Sequence, residues 1–173
     1  MQHAELRALM PLYVVIFIGF LGYSLMITVF TPMLLRADTM MLAPASTMPH
    51  RTVVLGVLLC LDPAGQFVGS QILGSLSDRF GRRPMLLASL AATTLFYAGI
   101  SASISRHDLP QLGLMTLLAG LAQGNIVTAQ GAIADVVPAE QRNRYFGYIY
   151  MSASLAYVVG PLGGGKLADS NLV

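Results

Sequence analysis

The chain has 173 residues, of which 55% are apolar and 10% charged, with a net charge of +2; its mean hydropathy is +0.67. A soluble domain carries about 25% charged residues, so ten basic and eight acidic side chains cannot coat a globule of this size, which excludes a soluble enzyme and a disordered chain, while +2 is too weak an attraction for a nucleic-acid partner. The single cysteine, Cys60, excludes a disulfide framework and a cysteine-based zinc site.

What remains is an all-α, polytopic membrane protein forming one transmembrane domain over 1–173, with the lipid bilayer as its first partner. Five stretches at 8–35, 52–77, 84–105, 109–134 and 145–165 hold one of the eighteen charges. About 20 apolar residues cross about 30 Å of hydrocarbon, and in lipid the backbone must satisfy its own hydrogen bonds. The spacing predicts five transmembrane helices, about 8–35, 52–77, 84–105, 109–134 and 145–167. Helix one is too long for a signal-peptide core and is read as retained. Its Pro11 falls in the first turn and Pro32 near the end, positions that tolerate a missing donor. The connection 36–51 is polar, with Asp38, Pro44 and His50 among its residues.

Helix two holds Asp62, the one ionisable residue well inside an apolar stretch, with Gln66 one turn on. An ionised carboxylate in lipid costs several kcal/mol, so Asp62 must face a cavity or a partner. Two roles stay open at this point: a protonatable or substrate-contacting site, or a structural polar contact. Gln123, Asn125, Thr128 and Gln130 of helix four, and Tyr23, Ser24 and Thr28 of helix one, are candidates to line the same cavity.

Helix two ends in the segment Gly74-Ser75-Leu76-Ser77-Asp78-Arg79-Phe80-Gly81-Arg82-Arg83-Pro84. Gly74 is expected to allow close packing and Gly81 a tight reversal. Asp78 can latch onto the three arginines Arg79, Arg82 and Arg83. Helix four ends at Asp135, an unfavourable acid at a helix C-terminus, which calls for Arg79, Arg82 or Arg142 beside it. GxxxG pairs at Gly65/Gly69, Gly120/Gly124 and Gly160/Gly164 predict close helix packing. For orientation, the tail, 78–83 and 135–144 carry six basic residues (Arg7, Arg79, Arg82, Arg83, Arg142, Arg144), and the other side four (Arg36, Arg51, Arg106, Lys166). The positive-inside rule puts the N-terminus in the cytoplasm. No enzyme motif is present, and His3, His50 and His107 lie in the tail or loops, so neither catalysis nor a metal is expected.

The segment 74–83 resembles the signature loop of the major facilitator superfamily, G-x-L-a-D-r-x-G-r-[KR], through Gly74, Leu76, Asp78, Arg79, Gly81, Arg82 and Arg83. Helix five is similar to the G-x8-G-x3-G-P-x2-G-G pattern of the drug-efflux branch. It carries Gly147, Ala156 for the second glycine, Gly160-Pro161 and Gly164-Gly165. The run Ala132-Ile133-Ala134-Asp135 with Arg142, Phe146 and Gly147 resembles tetracycline-type efflux proteins. Against the R-x-x-q-G pattern of helix four, Gln123-Gly124 match and Gly120 stands in the arginine position.

The resemblance implies the N-terminal part of a twelve-helix transporter, resembling an incomplete six-helix bundle, with helices one and four lining the path. It implies a bacterial inner-membrane protein that exports a small molecule by proton coupling, with no cofactor. Asp62 becomes the local candidate for coupling, and the missing wall comes from a C-terminal half or another copy of the chain. The alternative is a truncated membrane protein with no transport of its own, serving in assembly or left as a remnant.

Overall fold

A computed structural model describes the backbone of residues 2–36, 41–43 and 46–171, and the side chains within 9–36, 41–43 and 46–165. Asp38 and Pro44, and the side chains of Arg7 and Lys166, lie outside the described residues. All regular structure among the described residues is helical: α1 (Gln2–Leu35), α2 (Met48–Phe80), α3 (Arg82–Ser105), α4 (Leu109–Gln123), α5 (Asn125–Val136), a 3-10 turn (Ala139–Gln141) and α6 (Arg142–Asn171).

The helices overrun the apolar stretches. α2 has 33 residues and therefore rises about 50 Å, well beyond the apolar core of a bilayer. Charge marks where hydrocarbon stops; backbone hydrogen bonding continues into the polar layer. For the same reason α1 starts at Gln2, which puts Pro11 inside the helix and not in its first turn. Among the described residues, three helical segments, Leu9–Leu35, Met48–Phe80 and Arg82–Ser105, and the α4–α5 run Leu109–Val136 are long and apolar enough to cross a membrane.

Local chemistry sets the junctions. Gly81 has φ 95°, a left-handed conformation that glycine adopts without strain, and its N–H donates to the Ser77 carbonyl at 3.0 Å. Asp108 starts α4 by accepting from the Gln111 N–H at 3.0 Å, with Pro110 in the first turn. Arg51, counted in the sequence as an interfacial charge, is buried at 2% exposure. Its guanidinium donates to the carbonyls of Leu34 (3.2 Å), Arg36 (2.8 Å) and Ser46 (3.3 Å), taking up carbonyls that the end of α1 leaves without helical partners.

α1 packs chiefly on α6, and α2 and α3 chiefly on α4. One apolar core gathers Met26, Phe30, Leu34, Leu55, Leu58, Ile100 and Leu112 at the α4 N-terminal end. The other gathers Leu9, Ile16, Leu86, Ile133, Tyr145 and Ile149 at the opposite end. Between them in the helix register lies a buried layer that includes Ser24, Asp62, Gln123, Asn125 and Thr128. The outer faces are apolar, with Val57, Phe67, Ile72, Leu87, Leu95 and Leu114 exposed.

The expected fourth helix is broken. α4 ends and α5 begins across Gly124, whose N–H reaches the Leu121 carbonyl at 3.3 Å. A Cβ on Gly124 would overlap the backbone of Gly69 and Ser70 in α2, so the break sits where the two backbones touch.

Candidate functional site: a polar recess and a charged clasp

Glycines bring α2 and α4 together. A Cβ on Gly65 would run into the Leu117 carbonyl, one on Gly69 into Leu121, and one on Gly120 into the Asp62 carbonyl. Two of the three GxxxG pairs therefore oppose each other across one interface, the close approach that small residues permit in a membrane.

That approach sets Asp62 against Gln123. Each is 2% exposed, and Gln123 Nε2 donates to Asp62 Oδ2 at 3.1 Å and to the Tyr97 hydroxyl at 3.2 Å. A carboxylate can only accept, so the amide must turn its NH2 toward it. Gln123 Oε1 is then left buried without a partner. A recess of about 100 Å³ opens beside the pair, lined by Gly19, Phe20, Tyr23, Asp62, Pro63, Gln66, Gln123 and Tyr157.

At the far end of α2 a clasp forms on one arginine. Arg82 binds Asp78 at 3.1 Å and Asp135 at 3.1 Å, and Nη1 donates to Ser77 Oγ at 3.1 Å. It joins the α2–α3 turn to the end of α5. Arg142 donates instead to the Ala134 carbonyl at 3.1 Å and the Val137 carbonyl at 3.4 Å. Arg79 lies over the Phe80 ring at 5.7 Å, and Arg83 is exposed.

Residues 12–172 match the model of the Major Facilitator Superfamily. The chain belongs to the major facilitator superfamily. It is 38% identical over 120 residues to the class C tetracycline resistance protein of Escherichia coli, covering 68% of this chain and 29% of that protein. It is 35% identical over 159 residues to the class E tetracycline resistance protein of Escherichia coli, covering 92% of this chain and 36% of that protein. It is also 29% identical over 158 residues to multidrug resistance protein 2 of Bacillus subtilis, covering 88% and 35%. The chain thus spans about a third of the length of these relatives, and it is a multi-pass membrane protein of a transporter family.

The superfamily resemblance named residues that the structure distributes unequally. In the signature loop, Asp78 and Arg82 meet, and Gly81 supplies the reversal. Gly74, expected to pack closely, faces open space: a Cβ there would meet nothing within 4 Å. Of the helix-five motif, Gly160 abuts Ser24 and Gly164 abuts Leu25 and Thr28, while Ala156 between them and Gly147 is fully buried. These three positions, four residues apart, form the face of α6 that lies on α1. Gly147 and Gly165 face open space and Pro161 is exposed.

Of the expected cavity residues, Tyr23, Asp62, Gln66 and Gln123 line the recess and Asn125, Ser24, Thr28, Thr128 and Gln130 do not. Ser24 lies in the α1–α6 contact, and the Thr28 hydroxyl donates to the Ser24 carbonyl at 3.0 Å. Asp135 is on the clasp, remote in register from Asp62. Sequence reasoning missed Tyr97, Phe20 and Tyr157. A tyrosine in an apolar helix is a usable signal, because a buried hydroxyl needs a hydrogen-bond partner. The glycine in the arginine position of helix four, Gly120, is explained by Asp62: backbone occupies the space a side chain would need.

Proposed function

We propose that this chain is the N-terminal part of a secondary transporter that exports a small molecule in exchange for protons across a bacterial inner membrane. The observation that carries the proposal is the enclosed carboxylate of Asp62, 2% exposed and beside a polar recess, in a member of this superfamily. An ionisable group at membrane depth marks an ion or substrate path, and transporters bind substrate and coupling ion near the midplane. The names of these relatives, tetracycline resistance and multidrug resistance proteins, support export.

In this reading α6 is a fifth span, its outer face carrying Tyr150, Met151, Leu155 and Leu162 to lipid. The N-terminus and the 78–83 and 135–144 loops are cytoplasmic. The Arg82 clasp holds the α2–α3 turn to α5 in one state and releases it in another, with Asp78, Arg79, Gly81 and Arg83 setting the turn. Gly160, Pro161 and Gly164 govern how α6 slides on α1, with Gly147 and Gly165 at its ends. The second wall of the path comes from a C-terminal half or a second copy.

The test is flux of tetracycline in inside-out vesicles containing the chain together with the part of the class C relative that follows the matched region, its sixth helix included. Proton-driven accumulation is expected, and Asp62→Asn should abolish it. Unaltered proton-driven accumulation in Asp62→Asn would overturn the assignment of Asp62.

A further inference from the structure

The recess is built to receive hydrogen-bond donors. Both hydrogens of the Gln123 amide are committed, one to Asp62 and one to Tyr97. Its Oε1 is buried and unpartnered, and it faces α1 where Gly19 has no side chain: a Cβ there would stand 3.8 Å from that oxygen. Asp62 brings a negative charge and a second carboxylate oxygen, Oδ1, that takes no part in the bond from Gln123 to Oδ2. Among the described residues no basic side chain lines the recess, and Phe20, Tyr23 and Tyr157 wall it with aromatic rings. An anion is repelled there, and a neutral apolar group leaves both acceptors unmet.

The complement is a cation that carries its own N–H donors. It satisfies Gln123 Oε1 and Asp62 by charge-assisted hydrogen bonds and meets the rings through cation–π attraction. Size narrows the class further. The recess holds about 100 Å³, whereas a whole drug-sized ligand needs roughly 300 Å³ or more, so it takes a headgroup. Tyr157, 43% exposed, stands at its rim, where the rest of a larger molecule leaves the recess.

We propose that the recess between α1, α2, α4 and α6 is the subsite for the protonated amino group of an amine-bearing substrate, selected over quaternary ammonium and neutral analogues by hydrogen bonds to Asp62 and Gln123. This rests on the reading of the recess as a binding site and names the chemistry it takes.

The test is calorimetric binding of benzylammonium, N,N,N-trimethylbenzylammonium and benzyl alcohol to the 173-residue chain in phosphatidylcholine nanodiscs at neutral pH, with empty discs subtracted. Benzylammonium should saturate, and bind roughly tenfold or more tightly than the trimethyl compound, as loss of hydrogen bonds to a charged group requires. Asp62→Asn and Gln123→Met, each checked for helical content, should each weaken benzylammonium by roughly tenfold. Equal binding of benzylammonium and its trimethyl analogue, or unchanged affinity in a helical Gln123→Met, overturns the amine assignment. Where equal binding is still lost in Asp62→Asn, the recess remains a binding site and only its chemistry is wrong. Where neither Asp62→Asn nor Gln123→Met alters any of the three probes, or benzylammonium does not saturate, the recess is not a binding site and both readings fall.

Discussion

The recess and the clasp each depend on acids, and they differ in what surrounds them. Arg82 and its partners Asp78 and Asp135 are 32%, 67% and 59% exposed at the side chain. Water can replace any of those contacts, so each exposed pair is worth about 0–1 kcal/mol. Asp62 and Gln123 are 2% exposed, and nothing replaces the amide if it is lost. A hydrogen bond to a buried charge is worth about 1.5–3 kcal/mol. The clasp is thus suited to breaking and reforming as helices move, whereas the Asp62–Gln123 pair belongs to a rigid α2–α4 unit.

The sharpest way to break that contrast is at the glycine interface. Gly120→Val puts branched carbon onto the Asp62 carbonyl; overpacking costs roughly 1–3 kcal/mol or more, and here it also parts Asp62 from Gln123. Thermal unfolding in nanodiscs should show the largest loss of stability in the series. An unchanged midpoint would mean that α2 and α4 are not locked together.

Next comes the pair itself. Gln123→Leu strands the Asp62 carboxylate and should destabilise by about 1.5–3 kcal/mol. The double variant Asp62→Leu/Gln123→Leu should recover part of that loss, because no buried polar group is left unmet. Two losses that simply add would show that the residues act independently.

The clasp should respond more weakly. Arg82→Gln removes two exposed ion pairs and the bond to Ser77 Oγ, and should cost about 1 kcal/mol or less in stability, falling further as salt screens the pairs. The same variant should strongly impair transport in vesicles if the clasp is a moving part. Normal flux would reduce it to a surface tie. At the bottom of the scale, Gly74→Ala meets no neighbour and should raise stability slightly, by roughly 0.5–1 kcal/mol from helix propensity alone, read by the same unfolding assay.

Much of this was legible in advance. The apolar stretches at 8–35, 52–77, 84–105 and 109–134, charge-free but for Asp62, fall within α1, α2, α3 and the α4–α5 run, all apolar enough to cross a membrane among the described residues. The reversal at Gly81 was legible because few residues tolerate φ 95°. Asp62 was conspicuous as a lone acid in apolar sequence, and the need of Asp135 for an arginine followed from its place at a helix end.

What the tertiary structure alone decided was which faces meet. In a soluble helix the polar side reveals the apolar core by contrast. In a membrane helix both the lipid side and the core side are apolar, and that contrast is gone. Hence Ser24, next to Tyr23, and Thr28, one turn beyond Ser24, turned out to lie against α6, whereas Tyr97 proved to be the second partner of Gln123. The glycine pairs announced close contacts but not their partners: Gly65 and Gly69 met Gly120 and Gly124, Gly160 and Gly164 met α1, and the touch at Gly69 divided the fourth span at Gly124. Composition determined where this chain meets hydrocarbon, because transfer free energy is a property of each residue; which carboxylate meets which amide depends on helix rotation and register, and those exist only once the helices pack.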